Sequence, residues 1–333
     1  MLTVAPAGPA GGAERVEVER LGGTSRVETA VRISEETWPE SRYDAFLARA
    51  DLFPDALVAS YPAGAFNGGG PLLLTPSHEL HPAVRQELER LDVERVFIMG
   101  SFAAIAPEVE AQVRALGIET YRTFGRDRYG TARSAASLAP ENFGVAFVAT
   151  GTDFADALAA GPLAYALRQP IFLTPPDELH PEAAEGLRER GISEVVVVGG
   201  PGAVSERVAR QIEQVCHAGG PRDCIRTRRI GGRDRTETAA LLADELVEVG
   251  EVTLTHVNLA RGDAFPDAAA GGPHGGQEMA PILLATSPDR LGPAAGELLR
   301  AHAEEIESIH AFGTQDALSD RVLEEARQAA TSP

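Results

Sequence analysis

Short, unbroken apolar runs recur along the chain, each followed by a longer stretch in which apolar residues return with helical spacing. "AFLARA" (45–50), "VAFVATG" (145–151) and "THVNLARG" (255–262) predict strands, as do the "PLLLT" group starting at Pro71 and the "VVVVGG" group ending at Gly200. In "EVVVVGG" the apolar positions are consecutive, so that strand is expected to be buried on both faces. The segments between strands fit helices of about 10 to 15 residues, long enough to cross from one parallel strand to the next. The pattern therefore predicts a three-layer α/β/α arrangement with mostly parallel sheets.

This pattern occurs three times. "ERLGGTSRVETA" (19–30), "RTFGRDRYGTA" (122–132) and "RRIGGRDRTETA" (228–239) open the copies. "FPDALVASYPAG", "FADALAAGPLAY" and "FPDAAAGGPHGG" follow, then "PLLLTP", "PIFLTP" and "PILLAT", then "ELHPAVRQEL", "ELHPEAAEGL" and "RLGPAAGELL". A fifth block, "RVFIMGSFAAIAPEVEAQV", "EVVVVGGPGAVSERVARQI" and "SIHAFGTQDALSDRVLEEA", completes each copy. Five blocks in one order define three tandem repeats, assigned to residues 15–120, 121–226 and 227–333 after a Pro/Gly-rich flexible leader at 1–14.

The opening turn has a local logic. Ser25, Asp127 and Asp234 stand where a helix N-cap would be, with Glu28 and Glu237 three residues on as a capping box in copies one and three. Arg26, Arg128 and Arg235 then occupy the first helical position, where a cation opposes the helix dipole and something must offset it. Two partners are expected: an ion pair within or between copies, or an anionic ligand gripped by the guanidinium fork. Asp55, Asp156 and Asp267 are the natural carboxylate set, each just after a strand and a Phe, in the first turn of a helix at the carboxyl end of a strand. Thr29, Thr131 and Thr238 share the arginine spacing, and Thr75 and Thr174 end the "LLLT"-type strands, with Ala285 in the third copy. All eleven Arg, Asp and Thr side chains are candidates for ligand binding or inter-module contact. The Ala, Gly and Pro after each Asp predict tight packing between copies.

Composition narrows the chemistry. The net charge of −19 argues against nucleic acid and anionic membrane surfaces as partners. All 30 basic residues are arginine, which removes Schiff-base and P-loop lysine mechanisms. No run is long enough to span a bilayer, and the amino-terminal stretch lacks the basic head and apolar core of a signal peptide. Cys216 and Cys224 have no further ligands for zinc nearby, so a disulfide is expected if the protein is exported. The "GGPGAVS" turn (199–205) is not shared by the other copies, and His81 and His180 face Gly292 in the third, so neither marks a nucleotide site or a catalytic base. With no nucleophile elbow and no metalloprotease motif, no catalytic residue, metal or cofactor is expected.

The blocks "RIGGRDRTETA", "GTDFADALAAGPLA", "PIFLTPPDEL" and "EVVVVGGPGAVSERV" closely resemble the cell-wall-binding repeat type 2 family of bacterial surface proteins. The resemblance implies topoisomerase-primase-like α/β modules in threes about a pseudo-threefold axis. It implies an extracellular, wall-associated monomer anchored without covalent bonds to an anionic polysaccharide or teichoic-type polymer. Two other functions compete with this adhesion. One is Mg²⁺-dependent phosphoryl transfer on acidic pairs such as Asp51/Asp55, Asp153/Asp156 or Asp263/Asp267; the other is a purely structural scaffold.

Overall fold

The computed structural model describes residues 16–66, 68–139, 144–217, 223–250 and 253–332 of the chain; the leader at 1–14 lies outside them. Among these described residues twelve strands form three four-stranded sheets in which every pairing is parallel. In chain order they are β1 (Glu17–Leu21), β2 (Asp44–Arg49), β3 (Leu72–Thr75), β4 (Arg95–Met99), β5 (Glu119–Thr123) and β6 (Val145–Thr150). They continue as β7 (Ile171–Thr174), β8 (Glu194–Val198), β9 (Arg226–Ile230), β10 (His256–Arg261), β11 (Ile282–Ala285) and β12 (Ser308–Phe312). The inner strands are buried along nearly their whole length, as their consecutive apolar residues require. Helices cross between them, so the molecule is α/β in three modules.

The sheet orders are β3-β2-β4-β5, β7-β6-β8-β9 and β1-β12-β10-β11. β5 and β9, which lead into the second and third opening turns, complete the sheet of the copy before them. The third sheet takes its corresponding strand from the other end of the chain: β1 lies against β12, with Glu17 to Leu21 in register with Ser308 to Phe312. The three copies therefore close into a ring.

Three short helices of small residues, Ser60–Ala65, Gly161–Ala166 and Gly271–Gln277, meet at the centre. Their glycines allow the approach: a Cβ on Gly161 would sit 3.1 Å from the Gly272 Cα, and one on Gly64 only 2.3 Å from the Tyr165 carbonyl oxygen. The small-residue blocks thus pack copy against copy, and one apolar core takes in the central helices with residues of all three modules, among them Phe46, Phe147 and Phe312, while the second and third modules each have a further core of their own. Cys216 and Cys224 form a disulfide.

Candidate functional site

Each opening helix begins with its predicted cap. Ser25 accepts from the Glu28 N–H (3.3 Å), Asp127 from those of Tyr129 and Gly130 (both 2.9 Å), and Asp234 from those of Thr236 (2.9 Å) and Glu237 (3.1 Å). Glu28 and Glu237 reach one residue beyond the cap, accepting from the backbone N–H of Thr24 (2.7 Å) and Arg233 (2.5 Å). At both sites a side chain next to that N–H, the Thr24 hydroxyl or the Arg233 guanidinium, also donates to the same carboxylate oxygen and draws it there.

The arginine after the cap leaves the helix axis. Nη1 of Arg26, Arg128 and Arg235 donates to the carbonyl oxygens of Ala50 (3.0 Å), Gly151 (2.5 Å) and Gly262 (2.8 Å), just beyond β2, β6 and β10. Each guanidinium also lies over the face of a phenylalanine from the preceding copy around the ring: Arg26 over Phe265 (6.0 Å), Arg128 over Phe53 (5.6 Å) and Arg235 over Phe154 (5.4 Å). Carbonyl oxygens and ring faces thus offset the unfavourable helix end. Only Arg235 of the three also pairs with a carboxylate of the preceding copy, that of Asp153 at 2.9 Å. The three phenylalanines form a near-equilateral triangle, with centroids 5.9, 5.8 and 6.0 Å apart. That triangle marks the pseudo-threefold axis.

The threonines and aspartates join at the same seams. Thr29, Thr131 and Thr238 accept at Oγ1 from the N–H of Gly23 (3.2 Å), Gly125 (3.2 Å) and Gly232 (3.1 Å). Each hydroxyl also lies beside the aspartate of the preceding copy and favours its ionised form, Thr29 by Asp267, Thr131 by Asp55 and Thr238 by Asp156, while Thr238 donates to the Asp234 carbonyl oxygen (3.1 Å). Behind each carboxylate lies a glycine at φ 111°, 101° or 105° (Gly100, Gly199 and Gly313), where a Cβ would come within 2.3 to 2.9 Å of an aspartate oxygen. Arginine, threonine, phenylalanine and aspartate therefore form one constellation three times over, always between two copies.

Burial pushes the carboxyl groups of Asp55, Asp156 and Asp267 above the usual carboxylate range, and the charge of Asp153 adds to the push at Asp156. A group whose folded pKa is raised holds its proton more tightly when folded. Its stabilising contribution is complete below the unfolded pKa of about 4 and is lost as pH rises through the folded value. Asp156→Asn, which keeps the size and shape of the side chain, is therefore expected to hold or raise the midpoint at neutral pH and to flatten the loss of stability as pH rises out of the acid range. Urea midpoints across that range check the sign, and a variant weaker than wild type at pH 7 would contradict it.

Thr75 and Thr174 sit elsewhere. Both are buried, donate to the carbonyl oxygens of Glu79 and Glu178 (2.9 Å each) and accept from the N–H of His81 (3.0 Å) and His180 (2.9 Å). Their hydroxyls close the turn after the strand. In the third copy, with Ala285, backbone bonds between Ser287 and Arg290 shape that turn. His81 and His180 cap the next helices through Nδ1.

Open grooves lie along the seams. The one between the first two copies, about 190 Å³, is lined by Arg49, Arg126 and Arg128 with Asp55 and Asp127. Its counterpart between the second and third, about 350 Å³, has Arg233 and Arg235 with Asp153, Asp156 and Asp234. The acidic pairs considered for Mg²⁺ are engaged by guanidinium groups: Arg49 forks onto Asp51 (2.6 Å twice), Arg261 onto Asp263 (2.7 and 2.9 Å), and Arg235 holds Asp153. Sequence reasoning missed a second repeated arginine: Arg20, Arg122 and Arg229 donate to the carbonyl oxygens of Gly313 (3.4 Å), Gly100 (3.0 Å) and Gly199 (2.7 Å) and pair with Asp320, Glu110 and Glu206. Its signal was present, two or three residues ahead of the opening glycines in every copy.

The chain matches the family model described as cell wall binding domain 2 (CWB2) at residues 20–110, 122–209 and 229–323. It is 27% identical over 310 residues to the N-acetylmuramoyl-L-alanine amidase LytC of Bacillus subtilis (strain 168), covering 93% of this chain and 58% of that protein. It is also 27% identical over 267 residues to the amidase enhancer of the same organism, covering 80% of this chain and 34% of that one. Among solved structures, Cwp6 from Clostridium difficile superposes with a TM-score of 0.82 at 24% identity, over 96% of this chain and 48% of that one. Cwp8 from the same organism gives 0.81 at 24%, over 95% and 52%. The chain thus spans between about a third and three fifths of the length of these proteins, and the structural likeness is one of fold.

Proposed function

The chain belongs to the cell wall binding domain 2 family, and from that premise we propose that its seam grooves hold an anionic cell-wall polymer, making it an adhesion module and not an enzyme. The observation that carries this reading is the groove between the first and second copies, lined by Arg126, Arg128 and the Asp51-paired Arg49 against Asp55 and Asp127. A local cationic groove answers the difficulty of the net charge of −19, because an exposed charge is felt over roughly 10 Å at moderate salt. The groove between the second and third copies, with two arginines and three aspartates, is the weaker partner. Modest sites on one rigid body gain by avidity.

The guanidinium groups on Asp51, Asp153 and Asp263 support adhesion over phosphoryl transfer. Arg26, Arg128 and Arg235, with their threonine and aspartate partners, serve the seams first and line the grooves second, while Thr75 and Thr174 serve local turns. The protein acts outside the cell, as a monomer with its threefold symmetry internal. Retention on isolated bacterial walls tests the reading. The protein is expected to sediment with intact walls and to stay in solution after the anionic polymers are extracted; no retention on intact walls ends the proposal.

A further inference from the structure

The three seams are not closed in the same way where each opening segment meets the sheet of the preceding copy. Counting from the shared arginine, Glu36 in the last turn of its helix, Leu138 two residues past the end of its helix and Glu245 within its longer helix are equivalent. The equivalent positions on β1, β5 and β9 are Glu19, Tyr121 and Arg228, whose register partners are His310, Phe97 and Val196. Between the second and third copies the closure is ionic, with Arg228 donating to Glu245. Between the first two it is apolar: Phe97 stacks on Tyr121, and Leu138 packs against the core. Between the third and first, the place of Arg228 is taken by Glu19. Two carboxylates and an imidazole then face one another, one donor atom from each lying within 4.8 Å of the others. Like charges at that distance repel unless a cation lies between them.

The imidazole is set for this. In the arrangement that satisfies every partner, Thr37 donates to the Ile33 carbonyl oxygen (2.6 Å) and accepts from His274 Nδ1 (2.7 Å). That arrangement puts the His274 proton on Nδ1. Its Nε2, 3.2 Å from Nδ1 of His310, accepts in turn. His274 is buried, 1% exposed, with both ring nitrogens engaged by these two partners. His310 must then carry its own proton on Nδ1, which leaves the Nε2 lone pair free. A histidine whose other ring nitrogen is fixed by a buried hydrogen-bond chain has the outer-shell support typical of metal-ligating histidines.

We propose that Glu19, Glu36 and His310 form a binding site for a divalent ion of the zinc class, tying the opening helix of the first copy to the strand pair that closes the ring. One imidazole nitrogen and two carboxylate oxygens suit Zn²⁺ and leave a position for water. The ligands come from both ends of the chain, with no linear spacing for a motif to show. The ion replaces the guanidinium of the neighbouring seam, a positive charge between two acidic groups.

Calorimetric titration of Zn²⁺ into the chelator-treated full chain, with melting curves alongside, tests this. One saturable site per chain and a raised Tm are expected, with affinity lower by about tenfold or more in Glu36→Gln and His310→Ala. Glu36 is exposed, so its variant keeps the test valid if the His310 variant folds poorly. Glu19→Arg, which restores the arrangement of Arg228 and Glu245, is expected to raise the metal-free Tm and abolish the Zn²⁺ response. No saturable binding, binding unchanged in Glu36→Gln, or an equal response to Mg²⁺ would overturn the proposal.

Discussion

Replacing Gly64 by valine is expected to cost about 3 kcal/mol or more of stability and to weaken wall retention in the same variant. The added side chain has nowhere to go. A Cβ at this position would lie 2.3 Å from the Tyr165 carbonyl oxygen and 2.8 Å from its carbon, and these are backbone atoms of a helix in the next copy that cannot swing aside. Relief requires the central helices of the first two copies to separate. That would open the Phe53, Phe154 and Phe265 triangle and draw Arg128 off its ring. Urea denaturation checks the loss, and a midpoint equal to wild type would show that the central helices are not in contact as described.

The largest effect on binding alone is expected from the exposed arginines one position before the N-caps. Arg126 and Arg233 line their grooves from the rim, and Arg233 is paired only with Glu237 on the same exposed turn. Removing a charge-assisted contact costs about 1.5 kcal/mol or more, which is roughly tenfold in affinity. Two such losses in linked sites multiply, so Arg126→Ala with Arg233→Ala is expected to lower wall affinity about a hundredfold at an unchanged Tm. Arg126→Ala alone should account for the greater part, because its groove holds the excess of arginine. Arg128→Ala, which also removes a bond to Gly151 and the contact with Phe53, is expected to lower Tm as well as affinity. Quantitative sedimentation with walls, beside melting curves, separates these outcomes. Unaltered affinity in the double variant would leave the repeated arginines a purely structural role.

Much of this architecture was legible in the chain because burial writes itself into sequence as consecutive apolar residues. "EVVVVGG" could only be an inner strand, and five blocks in one order could only be a repeat. The recurring Arg, Thr and Asp were visible too, but their geometry was not. A first-turn arginine has the same neighbours in sequence whether it faces a ligand or the ring of Phe265, because that ring belongs to another copy. Thr75 and Thr174 show the limit at shorter range. A threonine ending a buried strand has the same sequence context whether its hydroxyl points out to a groove or back to the carbonyl of Glu79 or Glu178. The partner of β1 left no local trace at all, since Glu17 to Leu21 resembles the strands that complete the two preceding sheets.

That pairing sets an order of events when the protein is made. Arg20 reaches the carbonyl of Gly313 across 293 positions, so the first strand must wait, unpartnered, until the strand of the third copy that receives it has been delivered. Closing so long a loop adds little to the equilibrium cost but slows the final step. Until it closes, the free flank of the last sheet is open to the same segment of another molecule. Crowded nascent chains would therefore be prone to exchange their leading strands and emerge as interlocked pairs.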